Sequence, residues 1–464
     1  MPSDMTTTST TPTQSIARRP LAIGLVLAVT TFAFDGLSIA AAMPAITSDL
    51  GGVSLYGAAF SAFMIANLLS LAIAGPLADR RGPRPVLAGG LGLFTIGLII
   101  GGLAPTMIVV VAARFVQGIG AGTIGACAYV VIGRVWPADG RARMFAVLSA
   151  AWILPSLIAP AAAGAISDAF TWRLVFLGLL PFPFIAAALA LGPLGKLGPA
   201  SPELVGDGVV RQRLLVGTRL AMGVLAMVIG LGSSILPVTV VLLVGGAVVA
   251  LPAFRTLMPK GTLVAAVGLP AVVISRLLLS WAFFGTDAFI PLLITDVHHE
   301  TTTIGGLALT SAGLAWSATA WVQSHLTKKH TESSLVIAGT VLIAVGIAFV
   351  CVALSSTAPV AVVFVGWALA GAGMGLAANT TSVAAMARAE PGEEGHTSSS
   401  FQMADWLGVA LATGVGGAVV AAGERGGWSA SSSLAVVFAL TSATIIPCLL
   451  AARRIGRPPI ANLG

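Results

Sequence analysis

Hydrophobic residues in this chain do not recur with a short period; they run on in blocks. From Leu21 nearly every position is apolar until Ile46, and after a few small or polar residues another block begins. Charges, prolines and glycines mark off fourteen such blocks, at roughly 21–47, 54–78, 85–104, 107–134, 142–166, 173–195, 214–233, 236–254, 263–295, 303–325, 334–355, 359–387, 397–422 and 431–452. Lipid offers the backbone no hydrogen bonds, so a chain crosses it as helices or as a closed barrel. About 20 apolar residues make one helical span. The blocks therefore predict an all-α integral membrane protein with fourteen transmembrane helices.

Composition agrees. Of 464 residues, 57% are hydrophobic and only 9% charged, against about 25% charged in soluble domains. The mean hydropathy is +0.98. A net charge of +7 raises the question of nucleic acid, and the placement of the charges answers it. With the N-terminus in the cytoplasm, Arg18, Arg19, Arg80, Arg81, Arg84, Arg134, Arg141, Arg143, Lys196, Arg211 and most later basic residues fall on the cytoplasmic side. Only Arg173 and Arg425 fall outside, and Arg114 and Arg276 fall within spans. This is the positive-inside asymmetry. The charge is topological and no nucleic-acid partner is expected. Both termini are expected in the cytoplasm of a multi-pass protein of a bacterial cytoplasmic (inner) membrane.

The span count divides the chain. Residues 1–17 are rich in Ser, Thr and Pro and read as a disordered cytoplasmic tail. The first block is too long for a signal peptide and is followed by more spans, so it reads as an uncleaved first helix. Six spans occupy 18–195, and 196–213, "KLGPASPELVGDGVVRQR", is a hydrophilic cytoplasmic linker. Two nearly uncharged spans fill 214–260, six more fill 261–455, and 456–464 is a second cytoplasmic tail. Transporters built from repeats of helices carry their substrate site between the repeats, near the midplane. Two six-helix bundles with two additional central helices fit that plan.

Five ionisable residues interrupt the apolar blocks: Asp35, Arg114, Arg276, Asp287 and Asp405. A charge at the bilayer centre costs about 3 kcal/mol on insertion scales, so each must face a cavity or a partner. A carboxyl group in a low-dielectric site takes up a proton more readily than in water. Three readings fit Asp35: a proton carrier, a static partner of Arg114, or a receptor for a substrate amine. Asp287, in "WAFFGTDAFIPLL", has Phe283 and Phe284 one turn before it, which suits a lipophilic cation or a second proton site. Arg276 lies nearer the cytoplasm and reads as an interfacial anchor. Gln402, Asp405 and Trp406 share a helix face and point either to the cavity or to a cytoplasmic gate.

The three cysteines, Cys127, Cys351 and Cys448, each lie in an apolar block and read as small core residues. "TDVHHET", Thr295 to Thr301, reads as a solvated outer loop rather than a metal site. Nothing in the spans has a nucleophile–base or metal-cluster pattern, and no Walker loop is present. The chain is not expected to be an enzyme or to hold a cofactor or metal.

Residues 75–87, "GPLADRRGPRPVL", carry Gly75, Leu77, Asp79, Arg80, Gly82 and Arg84 at the positions of the loop signature of the major facilitator superfamily. There a tight cytoplasmic turn joins helices 2 and 3 and takes part in gating. "RFVQGIGAG", Arg114 to Gly122, resembles the family's helix 4 signature, and "LPSLIAPAAAG" the helix 5 signature of its antiporter branch, with Pro155, Pro160 and Gly164 kept. "TWRLVFLGLLP" resembles the start of helix 6, and "FDGLSIAAAMPAI" the helix 1 pattern. The chain as a whole is similar to the fourteen-helix drug–proton antiporters of that superfamily. Its second-half loop, near "WVQSHLTKKHTE", keeps only the basic charge of the first.

The resemblance implies a secondary transporter working by alternating access. Protons exchanged at Asp35, with Arg114, Asp287 and Asp405 as further coupling residues, would drive export of amphipathic or cationic small molecules. Phe34, Asn67, Gln117, Trp152, Trp281, Phe284, Gln402 and Trp406 are expected to line the substrate cavity. The partners are a small-molecule substrate, protons and the lipid bilayer, with the protein a monomer. The alternatives are a proton-linked importer of a small metabolite and a lipid flippase or non-transporting membrane partner.

Overall fold

The computed structural model describes residues 17–199, 207–327, 329–390 and 394–456. The expected tails lie outside it except for Ala17 and Gly456, as do residues 200–206 of the linker. Among the described residues every regular element is helical. The first half holds α1 (Arg18–Leu50), α2 (Tyr56–Arg81), α3 (Pro83–Gly102), α4 (Met107–Val135), α5 (Ala138–Ala150), α6 (Ile153–Ala169), α7 (Arg173–Leu177) and α8 (Pro181–Leu194). A hairpin follows, α9 (Asp207–Gly232) and α10 (Leu236–Leu257). The second half holds α11 (Leu269–Asp287), α12 (Ile290–Asp296), α13 (Thr302–Leu326), α14 (Glu332–Val352), α15 (Ala361–Ala387), α16 (Glu394–Gly426), α17 (Ala430–Ser442) and α18 (Ile445–Ala452).

Twelve helices among the described residues are long and apolar enough to cross a membrane. The two remaining blocks are helical as well. The fifth is split into α5 and α6, and α6 has 17 residues; the tenth is α13, with 25 residues. Four predicted spans are interrupted, between α5 and α6, α7 and α8, α11 and α12, and α17 and α18. Each interruption falls two to five residues before a proline: Pro155, Pro183, Pro291 and Pro447. A proline ring clashes with the carbonyl four residues back and supplies no N–H to it, so the helix opens there.

The two halves repeat one packing scheme. In the first, α4 is clasped by α2 and α3; in the second, α15 is clasped by α13 and α14. The contacts match residue by residue. A β-carbon on Gly118 of α4 would collide with the Phe63 carbonyl of α2, and one on Gly371 of α15 with the Ala312 carbonyl of α13. Glycine is required at both because the backbones touch. The α9–α10 hairpin leans on α2 and α16, with much of α10 exposed on its outer side.

Arg18, Arg19, Arg80, Arg81 and Arg134 stand at helix ends on one side of the bundle, here called the basic end. Close contacts between the halves gather towards the opposite end. The Tyr56 hydroxyl donates to the Ala288 carbonyl at 3.0 Å, at the α11–α12 break. Ser61 donates to the Ala410 carbonyl at 3.1 Å. Asp168 of α6 accepts the backbone N–H groups of Thr302 at 3.2 Å and Thr303 at 2.7 Å, and the Thr303 hydroxyl at 2.5 Å.

Candidate functional site

Three carboxylates embedded between these helices define the site, and their surroundings differ. Asp35 sits midway along α1, with only 2% of its surface exposed, and Arg114 of α4 only 1%. Arg114 Nη1 donates to Asp35 Oδ2 at 2.5 Å and to Gln117 Oε1 at 3.2 Å. Gln117 Nε2 donates to Asp35 Oδ1 at 3.1 Å. The guanidinium lies over the Phe63 ring, 4.2 Å from its centroid. Arg114 and Gln117 meet the same acid because residues three apart share a helix face. Both oxygens of Asp35 are taken, and the charge is neutralised inside the protein.

Asp405 of α16 is the second station. Arg276 grips it with Nε to Oδ1 and Nη2 to Oδ2, both at 2.8 Å, and the Ser280 hydroxyl also donates to Oδ1. Arg276 Nη1 reaches the Ala378 carbonyl of α15 at 3.2 Å. Arg276, read from the sequence as an interfacial anchor, is here the ion-pair partner of Asp405. Its fork geometry matches a carboxylate, and it ties α11 to α16 and α15. The acid that takes it was visible in the sequence; the pairing was not, because 129 residues separate them.

Asp287, the last residue of α11, differs from both. Its Oδ1 accepts the indole N–H of Trp367 at 2.8 Å, and among the described residues it forms no ion pair. Trp367 stacks on Phe283, with centroids 4.9 Å apart. Trp316 of α13 stands edge-on to Phe283 at 5.6 Å and tilts against Phe284 at 6.1 Å. Phe284 lies one turn before Asp287 on the same face. Trp367 is fully buried, whereas Asp287, Phe284 and Trp316 are partly open.

The other predicted cavity residues scatter. Trp152 and Trp406 approach across the halves, centroids 6.3 Å apart, with Phe32 edge-on to Trp152 at 5.6 Å. Phe34 is half-buried on α1. Asn67 is buried beside Gly122 at the α2–α4 crossing. The Trp281 indole donates to the Leu440 carbonyl of α17, and Gln402 bonds Ser398 within α16. Neither joins the three stations. An apolar recess of about 340 Å³, lined by Ala22, Ile23, Val26, Leu27, Thr30 and Val147, opens between α1 and α5 towards the basic end.

The loop signature forms the α2–α3 turn. Gly82 has φ +86°, a left-handed backbone that favours glycine. Gly75 is unobstructed by neighbours, Arg80 and Asp79 end α2, and Arg84 opens α3 beside Gly195. Arg134 donates to the Gly198 carbonyl at 2.7 Å. The helix 5 signature lies on the seam between the halves. A β-carbon on Gly164 would overlap the Thr302 backbone, one on Gly306 the Pro160 carbonyl, and one on Gly313 the Ser156 carbonyl next to Pro155. Sequence reasoning missed Ser280, Phe63, Trp316, Trp367 and Asp168. For Trp367 a signal existed: it stands four residues before Gly371, as Arg114 stands four before Gly118.

The family model of the Major Facilitator Superfamily matches residues 23–413. A Mycobacterium tuberculosis protein named "Probable multidrug-efflux transporter" is 26% identical over 466 residues, covering 96% of this chain and 98% of that one. The "Multidrug transporter protein MdtP" of Bacillus subtilis is 35% identical over 192 residues, 41% of this chain and 36% of that one. Among solved structures, a POT family transporter in complex with a thioalcohol-conjugated peptide superposes with a TM-score of 0.69 at 17% identity, covering 95% of this chain and 97% of that one.

Proposed function

The chain belongs to the Major Facilitator Superfamily and is a multi-pass membrane transporter rather than an enzyme, and we propose that it is a proton-coupled antiporter exporting amphipathic or cationic small molecules. In this reading α5–α6 and α13 complete a set of fourteen spans. The bundles 18–195 and 261–455 rock about the site, and the α9–α10 pair stands between them. The basic end faces the cytoplasm. The efflux names of its relatives support the direction.

One observation carries the coupling: the sealed Asp35–Arg114–Gln117 cluster. With both partners nearly unexposed, their attraction is little screened. A proton on Asp35 cancels the charge that holds Arg114 and leaves the guanidinium to seek other acceptors. That rearrangement moves α1 against α4, and α1 also packs on α6 and α13 at the seam between the halves. Asp405 with Arg276 supplies a second acid–arginine pair able to answer the first. Asp287 completes the set of embedded acids.

The test uses proteoliposomes with an internal pH dye. Addition of a lipophilic cation is expected to produce proton flux opposite to the cargo with wild type and none with Asp35→Asn. Flux at the wild-type rate in Asp35→Asn refutes the coupling role. Accumulation of cargo in the direction of the proton gradient refutes antiport.

A further inference from the structure

The repeat that relates the two halves carries one substitution of consequence. Superimposing the helix 4 pattern on its counterpart aligns Gly118, Gly120 and Gly122 with Gly371, Gly373 and Gly375. The contacts agree: Gly120 meets Gly90 and Phe94 of α3, and Gly373 meets Gly339 and Ile343 of α14. In this register Arg114 falls on Trp367. Asp35 and Asp287 occupy matching depths, each 17 or 18 residues after the first residue of its helix. The hydrogen bond between the helices is preserved, Arg114 to Asp35 in one half and Trp367 to Asp287 in the other. What has gone is the positive charge.

An indole donates one hydrogen bond and no charge. Asp35 and Asp405 have both oxygens engaged and an arginine each. Asp287 has one oxygen held, the other without a bond from the described residues, and a partly open position. A carboxylate in a low-dielectric site must be neutralised by something. Here the missing cation is not supplied by the described residues, and the indole that holds the acid belongs to an aromatic cluster. Phe283, Phe284, Trp316 and Trp367 form a continuous run of ring contacts from α11 to α13 and α15. Ring faces attract cations, most strongly where water is excluded. The helix break at Ala288 and Phe289 leaves irregular backbone at the same level, which is where discontinuous helices of transporters hold their ligands.

We infer that Asp287 is the cargo receptor: a site for a monovalent, amphipathic organic cation, whose charge takes the place that Arg114 fills in the first half, and whose apolar body rests on Phe284 and Trp316. This rests on the transporter reading above and divides its labour. The first half, with its acid sealed by an internal arginine, exchanges the proton. The second, with the arginine replaced by tryptophan, takes the cation.

The experiment is binding of tetraphenylphosphonium, a permanent cation without a titrating proton, to the purified full-length protein. It is followed by radiolabel and by tryptophan fluorescence. Triphenylphosphine oxide serves as a neutral ligand of similar bulk. Asp287→Asn is expected to weaken tetraphenylphosphonium by about tenfold or more, one decade being about 1.4 kcal/mol, and to leave the neutral ligand unchanged. Asp287→Glu is expected to retain binding within roughly threefold, which separates loss of charge from loss of fold. Trp367→Arg installs the first-half partner and is expected to abolish cation binding. Wild-type binding that survives Asp287→Asn overturns the site and leaves the transporter reading standing. Wild type that binds no tetraphenylphosphonium overturns the site and the cationic cargo together.

Discussion

The seam between α6 and α13 must part if the halves rock, and Asp168 is the side chain that holds its outermost end. The first N–H groups of a helix have no partner within it, and that end carries partial positive charge. In α13 the Thr301 hydroxyl caps the N–H of Ile304. Asp168, from the other half, takes those of Thr302 and Thr303 and the Thr303 hydroxyl as well. A hydrogen bond to a charged group contributes about 1.5–3 kcal/mol net. Asp168 is exposed, so water replaces part of what is lost, and about 2 kcal/mol for the three together is a fair figure at the low end of that range. Asp168→Ala then shifts the ratio of closed to open states at this end by roughly 30-fold. The measurement is a spin-label distance between Phe170→Cys and Trp428→Cys, exposed positions of the two halves at this end, in a background without Cys127, Cys351 and Cys448. Asp168→Ala is expected to populate a longer distance, and Asp168→Asn to fall between. Identical distance distributions in wild type and Asp168→Ala would refute the latch.

Other consequences can be measured alongside. Arg276→Gln leaves the half-buried Asp405 without its cation and is expected to destabilise by about 3 kcal/mol, within the range for a broken buried pair; Arg276→Gln with Asp405→Asn is expected to recover most of the loss in detergent melting temperature. Gly118→Ala and Gly371→Ala each press a methyl into a facing carbonyl and are expected to cost about 1–3 kcal/mol each, read as a fall in melting temperature, with equal effects if the repeat packs alike in both halves. Tyr56→Phe removes a buried hydrogen bond between the halves and is expected to favour opening by about 1 kcal/mol, visible in the same spin-label distance.

Much of the fold was legible because lipid imposes a single solution on the backbone. Every one of the fourteen apolar blocks is helical in the structure, and each was bounded by punctuation a reader can see. The interruptions were not foreseen, although Pro155, Pro183, Pro291 and Pro447 stood in plain view. A proline in a membrane helix breaks it only where neighbours accept the freed carbonyls; Pro44 and Pro76 lie inside unbroken helices. Which outcome applies depends on packing across helices, and no local rule carries that. The antiporter signature shows the same limit. Pro155, Pro160 and Gly164 could be read as a motif, but their place on the seam against α13 required the partner helix.

The embedded charges divide along the same line. Their number and depth follow from the sequence, since an ionisable residue in an apolar block has few ways to persist. Their partners do not, because Asp35 and Arg114 are 79 residues apart and Arg276 and Asp405 129. One partner was within reach. The glycine spacing of α4 recurs in α15, and carrying that register back four residues sets Trp367 where Arg114 stands. Had the cation been conserved between the halves, Asp287 would be a third neutralised acid, and the chain would hold no embedded carboxylate still open to a ligand among its described residues. The replacement of a charged donor by a neutral one keeps the bond that positions the acid and removes the charge that would satisfy it. A transporter that must release its cargo gains from that arrangement, because a cation held against a carboxylate and aromatic rings is bound by a site that no internal arginine among the described residues competes for.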